Sequence, residues 1–170
     1  MKTTHLIRAA TLEDAPRLAV LGAHVWVHTY AAVGVSDVIA DYVLASFTPS
    51  TFRALMGEAS IVLLIAEEGT SLAGYIVMRL GSSHADVPNE IQTLYVLDAF
   101  ARRGIGSALM NHARDIAMAR TGNRSIWLSV NSQNGKAISF YRSHGMAQDG
   151  TVHFELGGTK HENKIMISRD

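Results

Sequence analysis

The stretch Glu90–Met110, EIQTLYVLDAFARRGIGSALM, decides the fold, because an apolar strand turns through two arginines and two glycines directly into an amphipathic helix. The first backbone N–H groups of a helix have no partner within it, and the helix dipole favours negative charge at that end. Glycine in such a turn lets an anion approach the main chain closely. The segment Arg102–Ser107 therefore predicts a phosphate site that suits a pyrophosphate.

Two common phosphate-binding patterns do not fit this turn. A dinucleotide fold needs a third glycine where this chain has Leu109, and an acidic residue about 20 positions further on, where Arg120 and Arg124 stand. A P-loop needs a lysine before its final Ser or Thr, but Gly106 is followed directly by Ser107. Both interpretations are therefore disfavoured.

The segment instead resembles the acetyl-CoA signature of the GNAT family of N-acetyltransferases, Q/R-x-x-G-x-G/A after a strand that ends in a hydrophobic-aromatic-Val triplet. The resemblance covers roughly residues 5–168. It implies that the backbone of the strand pairs with the pantetheine amides of acetyl-CoA and that the loop amides wrap its pyrophosphate. The strand residues are Leu94, Tyr95 and Val96, and the loop residues are Arg102, Arg103, Gly104, Ile105, Gly106 and Ser107. Ala101 departs from the motif at its Q/R position, which weakens the match more than the chemistry, because the family's pyrophosphate contacts are largely main-chain.

A second motif follows at NGKAISFYRSHGM, residues 134–146, which resembles the family's N-x-x-A-x-x-F-Y-x-x-x-G-hydrophobic pattern. Asn134 and Tyr141 are two helical turns apart and share one face, with the small Ala137 between them. The resemblance implies that Asn134 binds or orders coenzyme A and that Tyr141 gives its proton to the departing thiolate. A core tyrosine with a satisfied hydroxyl is the alternative. The two motifs, in the family's order, favour the catalytic role.

Glu90 is the candidate for the general base. An alkyl ammonium group has a pKa of about 10, so a carboxylate or a water relay must take its proton at neutral pH. Strand alternation places Glu90 on one face with Gln92, Leu94 and Val96. Glu90 precedes Gly104 by fourteen positions, the spacing in family members that use a strand-borne glutamate as base. The alternative is a solvated glutamate at the first residue of a strand.

Composition limits the class of protein. A chain of 170 residues that is 48% hydrophobic can bury one substantial core, so a single domain over residues 1–170 is expected. Lys plus Arg equals Asp plus Glu at 15 each, which argues against nucleic-acid binding. Cysteine is absent, which excludes disulfides and thiolate sites. The N-terminus has no signal-peptide core, and the longest apolar run, Ile61–Ala66, is too short to span a membrane. A cytoplasmic protein without a membrane partner is expected.

The order of predicted elements is mixed α/β. Strands are expected at 5–9, 60–66, 72–80, 90–97, 125–130, 146–155 and 164–168. Helices are expected at 36–46, 104–120 and 134–144, and two more are expected to begin near residue 12 and after residue 49. Residues 81–84 are expected to form a loop. The family resemblance implies a single-domain GNAT fold with a mixed, mostly antiparallel sheet of about six to seven strands flanked by helices. The sheet is expected to splay between 90–97 and 125–130, with acetyl-CoA in the cleft.

The expected reaction is direct transfer of an acetyl group from acetyl-CoA to a primary amine of a small molecule. The family's first two helices cover its acceptor site, which makes Trp26 and Tyr30 candidates for the amine pocket, although helical aromatics are also common in cores. A polycationic acceptor would need acidic side chains, for which Asp37, Asp41 and Asp86 are the candidates.

Two other functions stay open: an acyl-CoA-binding sensor without transferase activity, and a protein or peptide N-acetyltransferase. No metal is expected, because His24 and His28 lack a third ligand. A homodimer is an expectation of the family resemblance.

Overall fold

The structure is a computed structural model that describes residues 5–170. Within that range the strands are β1 (Leu6–Ala9), β2 (Ile61–Glu68), β3 (Ser71–His84), β4 (Val87–Val96), β5 (Ile126–Asn131), β6 (Ala147–Leu156) and β7 (Thr159–Ser168). The α-helices are α1 (Ala15–Tyr30), α2 (Asp37–Ser46), α3 (Pro49–Met56), α4 (Ile105–Thr121) and α5 (Gly135–Ser143). Short 3₁₀ turns at Leu12–Asp14 and Asp98–Phe100 precede α1 and follow β4. No helix in this range combines the length and the apolar character needed to cross a membrane.

The strands form one sheet in the order β1-β2-β3-β4-β5-β7-β6. β4 and β5 run parallel and pair through Asn89 with Ile126 and Glu90 with Trp127. Parallel neighbours need a crossover connection, and α4 supplies it. The pairs β1–β2, β5–β7 and β6–β7 are antiparallel. The predicted α/β class, with a mixed sheet of about six to seven strands and flanking helices, is confirmed, and the sheet has seven strands.

The chain forms two compact units. Unit 1 comprises the residues up to Met78 together with Thr93–Ala113, and unit 2 comprises Arg79–Gln92 and Arg114–Asp170. The core of unit 1 packs the apolar faces of α1 and α3 against β2 and β3, with members such as Leu18, Phe52, Ile65 and Tyr75. A smaller cluster in unit 2 consists of Val87, Ile165 and Ile167, with Trp127 packed against it.

A network of ion pairs connects β1, the first 3₁₀ turn, α1 and β2 in unit 1. Asp14 is only 3% exposed and accepts hydrogen bonds from Arg8 at 2.8 Å and from Arg17 at 2.5 Å. Glu67 on β2 accepts from the same two arginines at 3.0 and 2.8 Å. The Asp14 carboxylate also accepts the Thr11 backbone N–H at 2.8 Å, which forms a capping box. The hydrogen bond from Arg8 holds the pKa of Asp14 well below its ordinary value, and the arginines also lower the pKa of Glu67.

Replacing Asp14 with asparagine is expected to lower the free energy of unfolding by about 3 kcal/mol at pH 7, because it removes the buried carboxylate that Arg8 and Arg17 share and leaves the half-buried Glu67 as their remaining partner. The folded pKa of Asp14 is depressed, so its stabilisation is present above the unfolded pKa of about 3.9 and is lost as the pH falls through the folded value. Urea unfolding at pH 7 and pH 3 should therefore show a smaller deficit at pH 3. Asp115→Asn is the matched control, because this carboxylate is 64% exposed where it pairs with Arg124 and should cost less than about 1 kcal/mol.

Several predicted boundaries are wrong. β4 begins at Val87 rather than at residue 90, and β7 begins at Thr159 rather than at residue 164. The helix expected from near Leu12 begins with a 3₁₀ turn, and its α-helical part starts at Ala15. The segment 81–84, expected to be a loop, continues β3 to His84. Its alternating exposed and half-buried residues carry no apolar signal, and pairing within the sheet overrides their weak strand propensity.

Candidate active site

The turn before α4 has the geometry of an anion site. α4 starts at Ile105, and the Gly104 carbonyl accepts the first helical hydrogen bond, from the Ala108 N–H at 2.9 Å. The first turn carries no acidic side chain, so the positive end of the helix dipole is not neutralised there. Gly104 has a φ of 82°, and a Cβ placed on it would meet no atom within 4 Å. The missing side chain therefore leaves open space at the helix end.

The two arginines of this loop differ in their surroundings. Arg102 is exposed and has a φ of 59°, in the left-handed region that a residue with a Cβ seldom adopts. Arg103 donates to both carboxylate oxygens of Glu68, at 2.9 and 3.2 Å, and its guanidinium lies 5.2 Å from the centroid of the Phe100 ring. Glu68 therefore already balances the charge of Arg103, which leaves Arg102 as the better placed of the two for an anion.

The end of β4 is held close to β3. A Cβ on Gly74 would lie 2.6 Å from the Tyr95 carbonyl oxygen and 3.1 Å from a methyl group of Val96, so the two backbones approach closely at this point. The Leu97 N–H donates to the Ala73 carbonyl at 2.9 Å. Leu94, Tyr95 and Val96 are all half-buried. Gly74 thus fixes the position of the strand end for which the family resemblance implies contacts with pantetheine.

The helix that carries the second motif begins at Gly135, and Asn134 is its N-cap. The Asn134 Oδ1 accepts the backbone N–H of Ala137 at 3.2 Å, so this side chain orders the start of α5. Tyr141 lies two turns further on, is buried, and packs edge-on against Phe140 with ring centroids 5.5 Å apart. The side chains of Asn134 and Tyr141 therefore belong to one rigid helix.

Glu90 is half-buried near the start of β4. Its Oε2 accepts a hydrogen bond from the Ser82 hydroxyl on β3 at 2.7 Å. The fully buried neighbours on β4 are Asn89 and Ile91, on the opposite face, whereas Gln92 on the face of Glu90 is exposed. The face of β4 that carries Glu90 is therefore more solvated than the opposite face.

The aromatic candidates for the amine pocket lie together in unit 1. Trp26 is buried, and its ring centroid lies 5.1 Å from that of Tyr30 and 4.8 Å from that of Tyr42 on α2. Tyr30 is 38% exposed at the end of α1.

His24 and His28 are exposed on α1, and their rings stack with centroids 6.3 Å apart. Among residues 5–170, no group of three or more His, Asp or Glu side chains converges to hold a metal ion.

The predicted site residues divide between the two units. Unit 1 contains the strand end, the loop before α4 and the aromatic candidates, and unit 2 contains Glu90 and the residues of α5. Sequence reasoning missed the contacts made by Gly74, Glu68 and Ser82. Gly74 had a signal, because a glycine inside an apolar strand often marks a close backbone approach. The contacts of Glu68 and Ser82 join residues that are distant along the chain, and no local pattern indicates them.

The sequence matches a known family over most of its length. The model of the acetyltransferase (GNAT) family matches residues 21–146, a range that includes the loop before α4, Glu90 and Tyr141. An uncharacterized N-acetyltransferase from Mycobacterium bovis is 29% identical over 159 residues, which cover 94% of this chain and 99% of that protein. An uncharacterized N-acetyltransferase from Mycobacterium tuberculosis matches to the same extent.

Solved structures share the fold over nearly the whole chain. The PaiA N-acetyltransferase from Thermoplasma acidophilum, in complex with coenzyme A, superposes with a TM-score of 0.81 at 22% identity, covering 98% of this chain and 99% of that one. An acetyltransferase of the GNAT family from Streptococcus pneumoniae superposes with a TM-score of 0.68 at 18% identity, covering 98% of this chain and all of that one. Because the family match spans most of the sequence and the strand–turn–helix geometry accompanies it, this chain belongs to the acetyltransferase (GNAT) family and is an N-acetyltransferase.

Proposed function

We propose that this protein, as a single N-acetyltransferase domain over residues 1–170, transfers the acetyl group of acetyl-CoA directly to a primary amine of a small molecule. The observation that carries the proposal is the turn before α4, where Gly104 leaves open space at a helix N-terminus without acidic side chains. The structure of PaiA contains coenzyme A, which supports the same cosubstrate here. A cytoplasmic location is a further prediction of the sequence, and a homodimer is a further prediction of the family resemblance.

Acetyl-CoA supplies an activated acetyl thioester, and the residues of this chain bind and orient it. The backbone amides of Ile105 and Gly106, at the start of α4, would donate to the pyrophosphate oxygens. Arg102 would add a charge-assisted contact to the phosphates. The backbone of Tyr95 and Val96 would pair with the amide groups of the pantetheine arm. Asn134 would order α5 rather than contact the ligand, because its Oδ1 is engaged by the helix.

Glu90 and Tyr141 would move the protons of the reaction. Glu90 would accept the proton of the bound ammonium group, which frees the nitrogen lone pair for attack on the thioester carbon. The new C–N bond forms as the C–S bond breaks, and Tyr141 would give its phenolic proton to the thiolate that leaves. The chain has no cysteine, and no serine stands in a nucleophile motif, so direct transfer is favoured over an acetyl-enzyme.

The charge and exposure of the segment between Arg17 and Arg53 favour an amine with an apolar substituent. This segment contains no lysine or arginine, so nothing in it repels an ammonium group apart from protonated histidine. Asp37 and Asp41 are exposed one turn apart on α2. Val33 and Val35, in the connection that precedes α2, are fully and 60% exposed. We propose that this segment, the acceptor segment, recognises a cationic small molecule through its aspartates and valines.

The experiment that tests the function is the release of free thiol from acetyl-CoA against a panel of polyamines, amino acids, aminoglycosides, arylalkylamines and short peptides. Release with a small amine would support the proposal, and release confined to peptides would replace it with a protein or peptide N-acetyltransferase. Binding of acetyl-CoA by calorimetry without release across the panel would contradict it in favour of an acyl-CoA sensor.

Replacing Glu90 with glutamine is expected to lower kcat/KM roughly tenfold at pH 8. Glutamine keeps the shape of the side chain and an acceptor for the Ser82 hydroxyl but cannot take a proton. The deficit should grow as the pH falls, because fewer acceptor molecules are then neutral without help from a base. Steady-state rates between pH 6 and pH 9.5 would measure the deficit, with Gln92→Glu as a control that adds a carboxylate two residues further along the same strand. A ratio of one between wild type and Glu90→Gln at every pH would remove Glu90 as the base.

A further inference from the structure

We propose that Ser82 is a positioning residue for the general base, holding one carboxylate oxygen of Glu90 so that the other receives the proton of the amine. This inference rests on the proposed role of Glu90. It gives a role in catalysis to the C-terminal end of β3, which lies outside both sequence motifs.

The contact between the two side chains is short and specific. The Ser82 Oγ lies 2.7 Å from the Glu90 Oε2, the distance of a strong O–H···O⁻ hydrogen bond. Both residues are half-buried, so water competes less for this bond than it would on an open surface. Because Oε2 is engaged by Ser82, Oε1 is the oxygen left for the substrate ammonium group.

Trp127 holds Ser82 in place. Glu90 and Trp127 are partners in the parallel pairing of β4 and β5. The Trp127 indole N–H donates to the Ser82 carbonyl at 2.7 Å. The base, its hydroxyl donor and the indole therefore lie on three strands of unit 2 and are fixed to one another by two short hydrogen bonds.

Other charged groups near this arrangement are paired with one another. On the same end of β3, the His84 ring lies 5.4 Å from the Trp127 ring and bonds Asp149 on β6 at 3.0 Å. Asp86, in the turn between β3 and β4, pairs with Arg169 at 2.7 Å. The remaining charged groups on the neighbouring strands of unit 2 are Arg79 on β3, Glu155 and His153 on β6, and Lys160, His161, Glu162 and Lys164 on β7.

The hydrogen bond from Ser82 restricts the rotation of the Glu90 carboxylate, which keeps Oε1 aimed in one direction. A carboxylate held in that direction meets the ammonium proton in a productive geometry more often than one that rotates freely. Loss of the hydroxyl should therefore lower kcat. The KM of acetyl-CoA should stay unchanged, because Ser82 lies outside the residues proposed to bind the coenzyme.

The test is Ser82→Ala, measured as kcat and as the KM of acetyl-CoA at pH 8 with the acceptor that the thiol-release panel identifies. The kcat is expected to fall about tenfold, while the KM of acetyl-CoA stays within about twofold of the wild-type value. Ser82→Thr retains a hydroxyl and should restore the kcat. Ser83→Ala, at the exposed neighbouring position on the opposite face of β3, should leave both values unchanged.

A double-mutant cycle separates this inference from the proposed role of Glu90. Ser82→Ala introduced into the Glu90→Gln protein should cause no further loss of kcat, because the carboxylate that it positions is gone. An equal loss of kcat in the Glu90→Gln background would overturn the inference and give Ser82 a merely structural role. If Glu90→Gln alone leaves the rates unchanged, the proposed base is wrong, and that outcome is independent of what Ser82→Ala does.

Discussion

Replacing Gly104 with valine is expected to abolish measurable binding of acetyl-CoA, raising its Kd by at least about a hundredfold, or about 2.7 kcal/mol. A side chain at this position would project into the open space beside the first turn of α4, where the proposed pyrophosphate lies. The φ of 82° is also unfavourable for a β-branched residue, so the loop itself would shift. Isothermal titration calorimetry with acetyl-CoA measures the loss directly.

Gly122→Val is the matched control for this substitution. Gly122 ends the same helix with a φ of 72°, and a Cβ added to it would likewise have no atom within 4 Å, so the backbone strain is similar and only the location differs. Both variants should lose comparable thermal stability, but Gly122→Val should bind acetyl-CoA as the wild type does. Normal binding by Gly104→Val would show that the phosphates lie elsewhere.

Replacing Tyr141 with phenylalanine is expected to lower kcat roughly a hundredfold while leaving the Kd of acetyl-CoA within about threefold of the wild-type value. The substitution removes one hydroxyl and keeps the ring, so the packing of Tyr141 against Phe140 and the helix α5 should persist. Transfer of a proton to the leaving thiolate would then depend on water. Single-turnover rates, measured with the enzyme in excess over the acceptor amine and with saturating acetyl-CoA, separate this chemical step from product release.

Tyr75→Phe serves as the control for the loss of a tyrosine hydroxyl. Tyr75 is 1% exposed in the core of unit 1, and its burial raises the pKa of its phenol well above the ordinary value. Removal of the Tyr75 hydroxyl should alter the stability of the protein but not kcat. If Tyr141→Phe turns over at the wild-type rate, Tyr141 is a core tyrosine, the alternative that the sequence also allows.

The elements with strong periodicity were predictable from the sequence. The apolar pattern and the glycines around α4 placed that helix within one residue of its observed ends, and Ser36 and Thr48 mark the starts of α2 and α3 as N-caps. The outer end of β3 was not predictable, because Gly81–His84 has the composition of a loop. It becomes a strand only through pairing, which depends on residues elsewhere in the chain.

The candidate site was predictable as a set of residue types but not as a set of contacts. The spacing of the motifs indicated Glu90, Gly104 and Tyr141 as candidate site residues. The hydrogen bond from Ser82 to Glu90 depends on the register of two strands, and a slip of one residue would turn either side chain to the opposite face. The ion pair of Arg103 with Glu68 likewise joins residues far apart along the chain, so no local pattern indicates it.

The order of the strands has a consequence for synthesis of the chain on the ribosome. β5 lies between β4 and β7, yet β7 is the last strand to be made. The apolar segment Ile126–Val130 therefore emerges with one edge unpaired, and stays so until Thr159–Ser168 has left the ribosome. An unpaired apolar edge is a template for aggregation. The nascent protein should consequently be most dependent on chaperones during that interval, and a stall after α5 would leave the most aggregation-prone intermediate.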